Sequence, residues 1–141
     1  MTKHCFRLLL LSLVVLTATV LPAAAAGRIY EELAGKYLVR GWDPGHKPEG
    51  KPDYEGWAVL EVWGDVLHYR GYMDEMTYAG AGIYDARGET LSLSFTNGDG
   101  SERGITVLRH AEGVLAGKWT TDNGGEGRTG TEIWTKWGQE Q

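Results

Sequence analysis

Apolar and polar residues alternate with a period of two through most of the chain after Gly35, and the alternation is broken at short, glycine- and acid-rich intervals. Four such stretches lie close together: Tyr54–Trp63, Val66–Met73, Thr77–Tyr84 and Thr90–Thr96. They are separated by Gly64-Asp65, by Asp74-Glu75-Met76 and by Asp85–Glu89. A parallel pair needs a crossover of roughly a dozen residues, so these strands are antiparallel neighbours in a meander. A strand at Gly35–Trp42 precedes them, and Arg103–Arg109, Val114–Thr120 and Gly130–Trp137 follow. The pattern therefore predicts an all-β chain of eight antiparallel strands in sequential order, with no helix long enough to cross over.

Facing follows from the alternation. Leu91, Leu93 and Phe95 point inward while Ser92 and Ser94 point out; Leu67, Tyr69, Gly71 and Met73 point inward because the opposite row carries His68 and Arg70. Tyr37, Val39 and Gly41 oppose Lys36 and Arg40, and Tyr54, Gly56, Ala58, Leu60 and Val62 oppose Glu55 and Glu61. Ile105 and Val107 share a face, as do Leu115, Gly117 and Trp119. The row Tyr78, Gly80, Gly82, Tyr84 and the row Ala79, Ala81, Ile83 do not decide between themselves, and the last strand mixes Glu132 and Lys136 with Ile133, Trp134 and Trp137.

Eight such strands either close into a barrel or split into two sheets. Closure removes exposed edges, and a sandwich brings longer inter-sheet links, so an up-and-down barrel is expected. In a meander, alternate connections emerge at opposite ends. One end collects Asp43–Asp53 (with Pro44, Pro48 and Pro52), Asp74–Met76, Asn97–Glu102 and Thr121–Thr129. The other collects the compact turns and a short helical segment around Ile29, Tyr30 and Leu33, expected to plug that end. Binding is expected at the long-loop rim.

The N-terminus changes the picture of what folds. Lys3 and Arg7 precede the apolar run Leu8–Leu16, and Ala23–Ala26 offers small-residue cleavage sites, which together predict a signal peptide over residues 1–26 and export to the periplasm or the extracellular space. The mature domain, 27–141, then has no cysteine and holds all 21 glycines. Loss of Lys3 and Arg7 leaves 12 basic against 19 acidic side chains, a formal charge of −7. That sign argues against binding nucleic acid through its backbone, and no later segment is apolar enough to be inserted in a membrane as a helix.

The opening Gly35-Lys36-Tyr37, the second-strand Tyr54-Glu55-Gly56, the paired Gly80 and Gly82, and Leu115-Ala116-Gly117-Lys118-Trp119 together resemble the calycin-type small barrels, which include lipocalins, avidins and secreted bacterial barrels. The resemblance covers Gly35 to Trp137, and what it implies is the fold.

Candidate chemistry is sparse. His46, His68 and His110 fall on a loop, a mid-strand position and an opposite-end turn, so they do not converge as zinc ligands, and no metal or cofactor is expected. Asn97-Gly98-Asp99-Gly100-Ser101 spaces oxygens as calcium loops do but has hairpin dipeptides and no closing glutamate, so it reads as a turn. Asp74, Glu75, Asp99, Asp122, Glu126 and Glu132 approach the same rim; Glu132, if its face turns inward, would be buried near Arg103 and would need a partner. No nucleophile motif is present, so no catalytic residue is assigned. Trp42, Tyr54, Tyr78, Phe95 and Trp119 all lie at strand ends meeting the long-loop rim. With Arg103 and Glu132 they form the expected binding site of a non-enzymatic protein that holds a small hydrophobic or aromatic molecule. Two other classes fit the same residues: an interaction module inhibiting a secreted hydrolase such as a lysozyme, steered to a basic partner by its charge, and a small barrel cyclase or isomerase using Glu132 or Arg103.

Overall fold

Eight strands close on one another in chain order, each antiparallel to the next and the last paired to the first. The computed structural model describes residues 23–138. Helix α1 (Ala23–Leu33) is followed by β1 (Gly35–Trp42), β2 (Tyr54–Trp63), β3 (Val66–Met73), β4 (Met76–Asp85), β5 (Thr90–Asn97), β6 (Arg103–Ala111), β7 (Val114–Thr121) and β8 (Gly130–Lys136), with a single 3₁₀ turn at Gly124–Gly127 before β8. The sequence-predicted strands are recovered with end shifts of up to two residues. Most of the predicted signal peptide, residues 1–22, lies outside the described residues. The helix reaches further back than Ile29 because Ala23–Ala26, read from the sequence as cleavage-site residues, are also strong helix formers.

The inward rows are those the alternation predicts for β1, β2, β3 and β5, except that Val62, near the end of β2, is exposed. The undecided β4 turns Tyr78, Gly80, Gly82 and Tyr84 inward. A Cβ on Gly80 or Gly82 would sit 1.8 or 2.1 Å from a β5 carbonyl oxygen, so the inner wall tolerates no side chain there. Ile83, on the other row, is exposed, as are Ile105 and Val107. The inner face of β6 is carried by Thr106 and Leu108 instead.

The interior is divided along its axis. In its lower part Trp134, fully buried, stacks on Tyr69 with centroids 5.5 Å apart and tilts against Tyr37 at 6.1 Å. Below them α1 closes the barrel as expected. Leu33 is fully buried among the core residues, the Tyr37 hydroxyl donates to the Leu33 carbonyl at 2.7 Å, and Lys136 Nζ donates to the Glu32 carbonyl at 2.5 Å. Tyr30, also on α1, donates from its hydroxyl to the Asp65 carbonyl in the β2–β3 turn at 3.1 Å. Each contact satisfies a carbonyl at the helix end or in a turn.

Candidate functional site

The opposite end is open. A cavity of about 160 Å³ lies there, between the long loops. Its walls are the rings of Tyr54, Tyr69, Tyr78, Phe95 and Trp119, with Met73, Met76 and Thr106 between them. Asp43, Asp74 and Glu102, from three of the four connections assigned to this rim, stand at the mouth, and Glu132 also lines the cavity. The rings meet edge to face in two pairs: Tyr54 with Trp119 (6.3 Å) and Tyr78 with Phe95 (5.9 Å).

Two missing side chains make this arrangement possible. A Cβ on Gly41 would lie 1.9 Å from the Tyr54 ring, and one on Gly130 would lie 2.2 Å from the Trp119 indole. Gly41 pairs with Tyr54 on one side and with Glu132 on the other. Tyr54 therefore lies flat over β1 and reaches across it, donating its hydroxyl to Glu132 Oε1 at 2.7 Å. Trp134 Nε1 donates to the second oxygen, Oε2, at 2.8 Å.

Glu132 is 7 % exposed. Burial raises its carboxyl above the ordinary glutamate range, and the two hydrogen bonds oppose that shift without cancelling it. The surrounding phenols respond to the same environment. Tyr54 and Tyr69 are raised, first by burial and then by the Glu132 charge. Tyr78 is pushed up to about 12 by burial and by the charges of Glu102, Glu132 and Asp74. Glu102 is itself raised, by burial and by Asp122.

Of the seven residues expected to form the site, five line the cavity: Tyr54, Tyr78, Phe95, Trp119 and Glu132. Trp42 and Arg103 do not. Trp42 alternates with the inward Gly41, so it is buried outside the interior cluster. Arg103 alternates with Gly104 and Thr106 and is exposed on the outer wall. The partner that buried Glu132 requires is accordingly a phenol and an indole, not the guanidinium.

The sequence reading omitted Tyr69, Met73, Met76, Thr106, Asp43 and Glu102. Tyr69 and Met73 had already been placed on an inner row, and only their height along the axis was missing. Glu102 keeps the inward parity of Gly104 and Thr106 beyond the strand end. Of the other rim acids, Glu75, Asp99 and Asp122 are not among the described lining residues, and the side chain of Glu126 lies outside the described residues.

The Asn97 segment is a turn. Asn97 Oδ1 accepts from the Glu102 amide at 2.9 Å, its Nδ2 donates to Ser101 Oγ at 3.0 Å, and Asp99 Oδ1 accepts from the Ser101 amide at 2.8 Å. The three histidines lie far apart as expected, with His68 against Trp63 on the outer wall and His110 beside Tyr84. His46 nevertheless meets two carboxylates, and one ligand atom each from Asp43, His46 and Asp53 lie within 4.8 Å of one another. Asp53 Oδ2 accepts from the Asp43 amide and contacts His46 Nδ1, both at 2.8 Å, which ties the base of the proline loop beside the mouth. These two contacts hold the Asp53 carboxyl below its usual range.

No protein-family model matches the chain, and no curated protein matches it. What the site does has to be read from its own atoms.

Proposed function

We propose that this chain is an exported, calycin-like barrel that holds one small aromatic or hydrophobic molecule in its mouth without transforming it. The observation that carries this reading is the ring-walled cavity of about 160 Å³ opening between the long loops. An apolar cavity of roughly 150 Å³ is enough to take benzene, so the occupant is a single ring or its aliphatic equivalent. Edge-to-face pairs already set the wall rings at angles that leave faces and edges for a guest. Replacing Trp119 and Phe95 together by alanine is expected to abolish binding of one-ring compounds, read by calorimetry and by native mass spectrometry of the purified barrel. A wild-type barrel that takes up no member of a broad one-ring panel overturns the reading. Export is tested by sequencing the N-terminus of the processed protein, with Gly27 expected as the first residue.

A second reading, an interaction module, is favoured by the outer wall. Trp57 stacks on Tyr72 (6.1 Å), and Lys36 Nζ lies 4.0 Å from the Trp137 ring, giving an exposed aromatic band on the opposite face of the sheet from the cavity. Trp57→Ala with Tyr72→Ala separates the two readings. It removes a protein partner while leaving one-ring binding unchanged if the band is the working surface. Isomerase chemistry at Glu132 is supported by its inward, raised carboxyl, and would appear as solvent deuterium entering a bound carbon acid.

A further inference from the structure

Resting on the one-ring reading above, we infer that the molecule held in the barrel mouth is a cation, an organic ammonium whose charge is met by the carboxylates and ring faces that line the cavity. The lining sets four carboxyl groups, Asp43, Asp74, Glu102 and Glu132, among five aromatic rings, and no lysine, arginine or histidine is found among the described lining residues. A neutral hydrocarbon guest needs no acids around it, and an anionic guest would meet four acidic side chains. Arg103 is on the outer wall, and Arg128 packs against Gly45 in the proline loop.

Glu132 supplies the sharper argument. It is 7 % exposed, and both of its hydrogen-bond donors, the Tyr54 hydroxyl and the Trp134 indole, are neutral. A buried carboxylate without a countercharge is strongly disfavoured, and one cation entering the cavity supplies what the neutral donors do not. The ring walls add a second, independent attraction. Tyrosine, phenylalanine and tryptophan faces bind ammonium groups through their quadrupoles, most strongly where water is displaced. Tyr78 and Glu102, on two other walls, are raised first by burial and then by neighbouring acids.

The test compares three one-ring probes of matched size at pH 7 by isothermal calorimetry on the full processed chain: benzylammonium, benzyl alcohol and benzoate. Benzylammonium is expected to bind about tenfold or more tightly than benzyl alcohol, with benzoate the weakest, the factor corresponding to the strength of a desolvated cation–π and carboxylate contact. In Glu132→Gln the preference for benzylammonium over benzyl alcohol should shrink about tenfold. The amide can still accept from Trp134 and donate to the Tyr54 oxygen, so the cavity keeps its shape. If that variant does not fold, Glu102→Gln with Asp74→Asn at the rim must lower the same preference. Benzyl alcohol binding as well as or better than benzylammonium overturns the inference and leaves the one-ring reading standing. Failure of all three probes overturns the inference, and the one-ring reading falls with it only if the broad panel also fails to bind.

Discussion

At the helix end of the barrel the interior is filled: Leu33 and Trp134 are fully buried, and the polar ends of Tyr30, Tyr37 and Lys136 each donate to a backbone carbonyl. At the loop end Tyr78 and Trp119 stay part-exposed, and Glu132 is buried on neutral donors. The strands that build the two ends are the same, and the inner residues alternate identically. The difference comes from what the connections contribute. One end receives an eleven-residue amphipathic helix that fills it, while the other receives acidic loops that stand around it and leave the centre open. A closed meander thus separates stability from binding along its axis.

The largest blow to that separation is Trp134→Ala. Removing the indole takes away the stack on Tyr69 and one donor to Glu132, joining the cavity to the lower core. A loss of about 3–5 kcal/mol is expected in urea unfolding, with larger rings admitted if the barrel survives. Leu33→Ala sharpens the contrast. It should cost about 2–4 kcal/mol and leave one-ring affinity unchanged, because the helix lies at the far end from the cavity.

Glu132→Gln probes the open end through pH. Burial raises the carboxyl, so the folded barrel holds a proton that the unfolded chain releases near the ordinary value of 4.5. Stability from this group is complete below that value and is lost as pH rises through the raised one. The variant should therefore unfold at a higher temperature than the parent at pH 8 and match it more closely at pH 4, as thermal melts across that range would show. A parent whose stability does not fall relative to the variant on going to alkaline pH contradicts this. The smallest effect is expected in the β3–β4 turn. Asp74 and Glu75 both adopt left-handed backbone, with φ of 51° and 66°, in a two-residue hairpin that glycine or asparagine would enter more easily. Glu75→Gly should stabilise by about 0.5–1 kcal/mol and leave binding intact, since Glu75 is outside the described lining.

Much of this was legible in the chain because closure depends on local quantities. Connection length and two-residue periodicity fix antiparallel neighbours, and parity then sorts odd connections from even ones, which placed the mouth and the plug correctly. The same parity already placed Tyr69 and Met73 inside. Parity alone also shows why Arg103 and Trp42 stand outside the cavity lining, since each sits beside an inward glycine, but glycine carries no hydrophobic signal to set the row. What the chain could not disclose is reach. That Tyr54 crosses β1 to find Glu132 depends on Gly41 being bare at the one pairing position between them. Likewise, β4 had no readable facing because two of the four residues in its inner row, Gly80 and Gly82, are glycines, and what keeps them bare is the nearness of β5.

Seven of the eight ladders join strands that follow one another directly, and the remaining one, β1 to β8, pairs Tyr37 with Lys136 and Trp42 with Thr131 across almost the whole domain. Hairpins can zip within microseconds of their residues being free, but this seam waits for the final strand. The barrel therefore stays an unsealed ribbon until β8 is free to pair with β1, and only then does its cylinder shut.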